Sequence, residues 1–402
     1  MNKFRKWLQN KGPGALIAAA FIGPGTVTTC TIAGANYGFT LLWTMVLAIL
    51  ATYMLQEMSV RMAIVTGKPL PEVIRQKMKS KVSRVLIIGL ILAAILIGNG
   101  AYEAGNITGA ALGLSGIFPG LHSMAPIWIG LFSLLVLWVG NYKYIERMLV
   151  ALVIIMSCAF LAAAIFSKPD MGKIISSILI PTIPENSIFT IVALIGTTVV
   201  PYNIFLHASV GLEKWKSTED IRHARSDAAL AIIGGGLISM AIIITAAAAG
   251  IGKPQGFMDL AKALEVVFGQ YASILLGVGL MSAGLTSAIT APLAASYVAE
   301  ACLGWKGGLK DWKFRIVWAS IIVIGTVFSL LGFKPLSIIS FAQLANGVLL
   351  PIIAFMVIGL TNDENIMGKF ANTFTQKLLA WSIWIVTVVL GLMSVAKGLG
   401  VL

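Results

Sequence analysis

The 402-residue chain is short of charge: 11% of its residues are Asp, Glu, Lys or Arg, against 58% hydrophobic. Soluble domains carry about 25% charged residues, so a water-soluble fold is excluded. No long polar segment could house a separate soluble domain. Cysteine and histidine are scarce, three of each, with no CxxC or Cys/His spacing. That removes a disulfide framework and a zinc site. Cys30, Cys158 and Cys302 fall inside apolar runs and read as small buried fillers. Catalytic signatures are missing too: no HExxH, no nucleotide loop, no nucleophile triad. Neither an enzyme nor a cofactor is expected. The short alternating strands of a membrane barrel are also absent.

What the chain does have is apolar runs. A stretch of about 20 apolar residues spans the hydrocarbon core. Eleven runs qualify, at roughly 13–35, 40–60, 85–112, 125–140, 148–167, 188–211, 228–250, 269–298, 316–333, 336–360 and 378–400. Lipid tolerates only helices or closed barrels, so the expected fold is an all-α membrane bundle. The net charge of +13 could suggest nucleic acid, but its distribution argues otherwise. With the N-terminus inside, alternate connections on that side carry 23 of the 29 Lys and Arg, and the other side carries six. This bias predicts a cell-membrane protein with a cytoplasmic N-terminus and an outside C-terminus. No basic domain stands apart from the spans to bind nucleic acid. Residues 1–11 are basic and precede an apolar run, as in a signal peptide. No small-residue cleavage site follows, so they read as a cytoplasmic lead-in.

Two runs carry helix breakers in their middle. "IGPGTV", residues 22–27, interrupts the first, and "TTVVPYNIFLH", residues 197–207, the sixth. Unwound backbone within a bilayer must be packed in protein or line a cavity. Five spans separate Pro24 from Pro201, the offset of two five-helix repeats, the second inverted. The repeats would cover about 13–167 and 188–360 of a single domain, with an extra helix at about 378–400. Paired interruptions at matching repeat positions point to the central site of a transporter.

Several stretches resemble the NRAMP family of divalent-metal transporters. "GPGALIAAAFIGPG" with "AGANYGFTLLW" is similar to that family's first helix and following turn, and "LQEMSVRMAIVTGK" to its second. "AYEAGNITGA" resembles part of the third, "YIERMLVAL" the start of the fifth, "VVPYNIFLH" the sixth and "SAGLTSAIT" the eighth. "AQLANGVLLP" and "MGKF" resemble the tenth helix and the loop after it. The resemblance implies a LeuT-like fold of eleven helices and a proton-coupled divalent metal cation transporter. It also exposes departures. The family's Asp-Pro-Gly-Asn becomes Gly23-Pro24-Gly25-Thr26, and its Met-Pro-His-Asn becomes Val200-Pro201-Tyr202-Asn203. The acid pair of the third helix becomes Gly100 and Glu103.

Those departures leave two readings of the cargo. A divalent cation needs oxygen or soft ligands and compensating charge. Gly23 supplies no charge and Val200 no sulfur. Neutral groups remain: carbonyls near Ala20 and Thr197, the Thr26 hydroxyl, Asn203, Gln343 and Asn346. Thr26, Thr197 and Gln343 are the weak metal set. The other reading uses the same break with opposite sign. A half-helix starting after Gly25 presents free N–H groups and a positive dipole end, with Thr26, Thr28 and Thr29 in its first turn. A small carboxylate, an amino acid or a derivative, would fit, its polar edge read by Tyr202, Asn203 and Gln343. A receptor or sensor on a transporter fold is a third reading.

For coupling, Glu103 is an acid within a span and a candidate proton carrier, and His207 titrates near neutrality when unperturbed. Thr286 and Ser287, adjacent hydroxyls in the eighth span, are the sodium alternative; back-bonding to their own helix is the plainer expectation. Glu57 and Arg61, four apart, should pair. Gly234, Gly235 and Gly236 should allow close helix packing. Glu213 to Asp227 reads as a solvated loop, and His122 and His223 as loop histidines without a ligand role. The sequence leaves the oligomeric state open.

Overall fold

The computed structural model describes residues 22–77, 80–140 and 143–399. Among them there is no strand. Helix α1 covers Pro24–Tyr37, α2 Leu42–Thr66, α3 Leu70–Lys77, α4 Lys81–Ile117, α5 Ala125–Val139 and α6 Lys143–Phe166. Helix α7 covers Met171–Leu179, α8 Ile188–Thr198, α9 Pro201–Lys214 and α10 Ile221–Ala249. Then come α11 Phe257–Phe268, α12 Ala272–Leu303, α13 Trp312–Leu330, α14 Pro335–Thr361, α15 Glu364–Met367 and α16 Phe374–Gly398. Nine described segments are long and apolar enough to cross a membrane, with α8 and α9 together forming one of them. Helix α5 is a shorter apolar helix, and α1 is the described part of the first expected span. Every expected span therefore has a helix.

Helix α4 and helix α12 form the centre, with α14 and α13 also against α4. Small residues set the approach. A Cβ on Gly113 of α4 would lie 2.5 Å from the Gly277 carbonyl, and one on Gly284 of α12 would lie 2.7 Å from the Asn106 carbonyl. Packing of this kind holds membrane helices together where hydrophobicity gives no drive between them. Around this centre α1 packs on α10, α8 on α14 and α9 on α2. The outer faces stay apolar: Trp128, Leu135 and Trp138 on α5 and Val323, Val327 and Phe328 on α13 are exposed. Such a belt belongs against lipid.

The helices outrun their apolar runs where polar caps start them. Asp311 accepts from the Lys313 amide to open α13, and Thr373 with Gln376 forms a capping box for α16. Hydropathy stops at the cap; the helix does not. The same effect corrects the Glu213–Asp227 loop. Helix α10 already runs from Ile221, His223 sits in its first turn, and Arg225 reaches a buried acid. Cys30 and Cys302 are buried, but Cys158 is exposed on α6, so only two of the three are core fillers. The glycine triplet also divides. A Cβ on Gly236 would meet Ile49 Cδ1 at 2.2 Å, whereas one on Gly234 meets nothing within 4 Å. Thus Gly234 is not a packing residue.

Glu57 and Arg61 pair as expected, and the structure adds the rest of a network. Glu57 accepts from Arg61 Nε at 2.8 Å and from Arg225 Nε of α10 at 2.7 Å. Arg61 donates to Asn372 Oδ1 at 2.6 Å and to the Phe370 carbonyl. Asn372 in turn donates to Asn362 Oδ1 at 2.8 Å and Thr361 Oγ1 at 3.0 Å. Arg61 is only 2% exposed, so its charge depends on these partners. The "MGKF" stretch thereby ties the end of α2 to the α14–α16 connection. Nearby, the Lys77 ammonium holds the Asp363 carboxyl below the usual carboxylate range.

Two measurements check this packing. Gly34→Ala places a Cβ 2.2 Å from the Ile243 carbonyl of α10. It should lose about 1–3 kcal/mol of thermal stability in detergent, while Gly234→Ala should change it by less than about 1 kcal/mol. Glu57→Gln leaves the buried Arg61 guanidinium without a carboxylate and should cost about 3–5 kcal/mol. An unchanged melting midpoint would show that the network carries no load.

Candidate functional site

Helices α1 and α9 begin in the same way. Helix α1 starts with proline at its first position after Gly23, held extended at φ −87° and ψ 176°. Helix α9 starts with Pro201 after Val200, at φ −79° and ψ 121°. Proline suits that position because its missing N–H would have had no helical partner. Between α8 and α9 the backbone leaves the helix only at Val199 and Val200. The described chain begins at Ile22, so Ala20 lies outside the described residues.

The two breaks touch. Thr26 Oγ1 of α1 and Thr197 Oγ1 of α8 lie 3.0 Å apart, buried, in a hydrogen bond across 171 residues of chain. Helix α14 closes over both. A Cβ on Gly25 would lie 2.1 Å from Gln343 Nε2, and one on Gly196 would lie 2.0 Å from the Gln343 carbonyl. Gly347, one turn along α14, meets the Val192 carbonyl just as closely, at 2.5 Å. Glycine is thus required at Gly25 and Gly196 for Gln343 to reach the break. Asn346 is buried on the same helix.

A second wall comes from α4 and α12. A Cβ on Gly23 would sit 3.3 Å from Ser287 Oγ and 3.5 Å from Tyr102 Oη, so both hydroxyls converge on that bare backbone. The Tyr102 ring packs on Tyr202 with centroids 5.5 Å apart. Val200, with Leu206, Ala291 and Ala294, completes their apolar surround. Gly109 of α4 lets Pro24 approach, since a Cβ there would meet Pro24 Cβ at 2.1 Å. The adjacent hydroxyls of α12 diverge. Thr286 donates back to the Ser282 carbonyl at 2.8 Å, while Ser287 turns to Gly23.

Many polar atoms here are buried without a hydrogen-bond partner. They are the hydroxyls of Thr28, Thr29, Tyr202 and Ser287, both side-chain ends of Asn203, Gln343 Oε1 and Asn346 Nδ2. Buried polar groups normally find partners, and the exceptions concentrate here. All of these groups are neutral. Among the described residues no three His, Cys, Asp or Glu side chains gather to hold a metal.

The coupling candidates lie to the sides. Glu103, fully buried, accepts from Asn106 Nδ2 at 3.2 Å through one oxygen and leaves Oε1 unpartnered. Its Cγ abuts Gly325 of α13, whereas Tyr102 beside it in sequence faces Gly23. His207 Nδ1 lies 3.0 Å from Gln56 Oε1 of α2, with Nε2 unpartnered. The structure therefore gathers Gly23, Gly25, Thr26, Thr197, Tyr202, Asn203, Gln343 and Ser287 about the breaks, and sets His207 and Glu103 outside that group. Sequence reading missed Tyr102 and Gln56. Their only signal is polarity within a span.

A span broken between α8 and α9, whose end meets the start of α1 inside a bundle of apolar helices, describes a polytopic membrane protein. The profile of the Natural resistance-associated macrophage protein-like family matches residues 14–397, so the chain belongs to the Nramp family. The divalent metal cation transporter MntH of Nostoc sp. (strain PCC 7120) is 29% identical, over 96% of this chain and 90% of that protein. MntH of Yersinia pestis (strain Pestoides F) is 30% identical, over 92% of this chain and 90% of its own. A solved Eremococcus coleocola manganese transporter superposes with a TM-score of 0.80 at 23% identity, over 99% of this chain and 88% of that one. The amino-acid-bound MhsT, crystallised with L-phenylalanine, gives 0.59 at 14% identity, over 95% of this chain and 97% of its own. Mhp1, a nucleobase-cation-symport-1 family transporter, gives 0.58 at 15%, over 96% and 93%. These structural likenesses are of fold, and they bear out the LeuT-like all-α architecture.

The contact at Gly25 makes a suppressor prediction. Gly25→Ala should lower thermal stability in detergent, because Gln343 must withdraw. Adding Gln343→Ala should restore most of the lost midpoint. A double variant no better than the single would show that Gln343 does not press on Gly25.

Proposed function

We propose that this chain is a secondary carrier that moves a small solute across the cell membrane by alternating access about Gly23–Thr26 and Thr197–Asn203. The observation that carries this reading is the Thr26–Thr197 contact joining two helix breaks, amid buried polar atoms that lack partners. Two inverted five-helix repeats, about 13–167 and 188–360, rock against each other, with α16 as the extra helix. The N-terminus is cytoplasmic and the C-terminus outside, by the distribution of Lys and Arg.

The relatives' names support a divalent metal cation as cargo. Here such an ion would meet Thr26, Thr197 and Gln343, neutral oxygens that leave much of its hydration in place. Without a carboxylate, affinity should be low. Coupling to protons runs through Glu103, a fully buried acid whose carboxyl accepts one hydrogen bond, from Asn106, and leaves Oε1 without one. Thr286 donates to the Ser282 carbonyl while Ser287 turns to Gly23, so the two adjacent hydroxyls do not converge, which makes sodium the weaker choice.

Uptake into proteoliposomes tests these statements. Mn²⁺ or Mg²⁺ uptake should saturate with concentration, as a carrier's does, and should quicken under an inward proton gradient. Glu103→Gln should remove that quickening while leaving gradient-free uptake in place. Gly23→Asp, which supplies a charge, should raise cation uptake about tenfold or more. Uptake that rises linearly would replace a carrier with a channel. Absence of cation uptake would remove the metal cargo.

A further inference from the structure

Resting on the carrier reading but not on a metal cargo, we propose that the central site takes a small organic carboxylate that also bears an N–H group, an amino acid or a derivative of one. The donors come first. Helices α1 and α9 both begin at the breaks, and after their prolines the Gly25 and Tyr202 amides have no acceptor within their own helices. Both helix starts are positive dipole ends. A helix start alone does not make a site, but these two are met by side chains that point to a ligand. Ser287 is fully buried, its Oγ approaches the Tyr102 hydroxyl without a well-formed hydrogen bond, and it would touch a Cβ on Gly23 at 3.3 Å. The Tyr202 hydroxyl, on a residue 1% exposed, approaches Tyr102 and Thr290 but likewise makes no well-formed hydrogen bond, while Asn203, also 1% exposed, has no partner at either end of its amide. Each hydroxyl can donate to an anion.

The acceptors sit opposite. Helix α8 ends at the same interruption with its carbonyl end, the negative pole, at Thr197 and Thr198. Asn203, 1% exposed, has both its amide ends unsatisfied, so it can accept an N–H and donate to an oxygen. A bare inorganic anion would leave the carbonyl end and Asn203 Oδ1 unanswered. A bare cation would leave the backbone amides unanswered. A solute with a carboxylate and an adjacent N–H answers both.

Charge decides between the alternatives. Among Gly23, Gly25, Thr26, Tyr102, Thr197, Tyr202, Asn203, Ser287 and Gln343 there is no carboxylate to repel an anion. Glu103 is the nearest acid and its charge reaches the Tyr102 and Tyr202 hydroxyls, but its side chain lies against Gly325 of α13 and is the proposed proton carrier, neutral when loaded. Where a side chain at Gly23 would hold an acid, this chain has bare backbone faced by the Ser287 and Tyr102 hydroxyls.

Isothermal titration on the purified, full-length protein in detergent reads this out. The panel is the common amino acids, their N-acetyl derivatives, the matching carboxamides, acetate and MnCl₂. At least one N–H-bearing carboxylate should bind saturably, with its carboxamide and acetate each at least tenfold weaker. Ser287→Ala, which deletes one hydrogen bond to a charged group, should weaken binding roughly tenfold. Gly23→Asp should abolish it, and Gly23→Asn, similar in size but uncharged, should weaken it less. The proposal is overturned if no carboxylate in the panel binds, if carboxamides bind equally well, or if Gly23→Asp loses no more than Gly23→Asn. Saturable cation uptake without carboxylate binding would sink this proposal and keep the carrier. Carboxylate uptake without cation uptake would do the reverse to the metal cargo.

Discussion

The structure depends on one constraint: backbone that leaves a helix inside a bilayer must be enclosed by protein. Water is not there to satisfy it, and each unsatisfied group costs several kcal/mol. The start of α1 after Gly23 and the break at Val199–Val200 meet that demand through close approach. Glycines at 25, 196 and 347 bring α14 onto α1 and α8, and Gly109 brings α4 onto Pro24. Gly113 and Gly284 then lock α4 to α12 behind them. The arrangement of the bundle is the enclosure of two faults.

Enclosure fixes geometry but leaves the chemistry free. The family resemblance places an Asp, a Met and a His where this chain has Gly23, Val200 and Tyr202. The fold tolerates all three changes because the breaks are made by proline and glycine, which stay. What changes is the sign and softness of the interior. Val200 is at 0% exposure in an apolar cluster with Tyr102 and Tyr202, so the place of a sulfur ligand is now hydrocarbon. Oxygen donors without charge remain, and they suit a ligand that brings its own.

How much of this was readable in the chain follows from how local each signal is. The spans show in hydropathy, and the breaks show as Pro24 and Pro201, because proline acts on its own turn. The meeting of Thr26 with Thr197 was anticipated only through the five-span offset, a symmetry argument. Tyr102 escaped notice because nothing near it in sequence says that it faces Gly23; that contact is made by the packing of α4. The same holds for Arg61, whose partner Glu57 is four residues away but whose partner Asn372 is 311 away. Amphipathic connectors such as α7 and α11 were also missed, since at 9 and 12 residues they are too short to register as spans.

Helix α4 shows how one element can serve two ends of the proposed cycle. Consecutive helical residues diverge by about 100°, so Tyr102 and Glu103 must face different neighbours. Tyr102 faces the break in the first span, and Glu103 faces α13. A protonation event at Glu103 would therefore act on the packing of α4 against α13, not on the cargo. Cargo bound beside Tyr102 would act on the packing of α4 against α1. Coupling then needs no chain of polar residues between the two sites. It needs only that α4 cannot sit well against both neighbours at once, and α4 is seated against each through glycine contacts below 3 Å from a would-be Cβ, at Gly109 and Gly325.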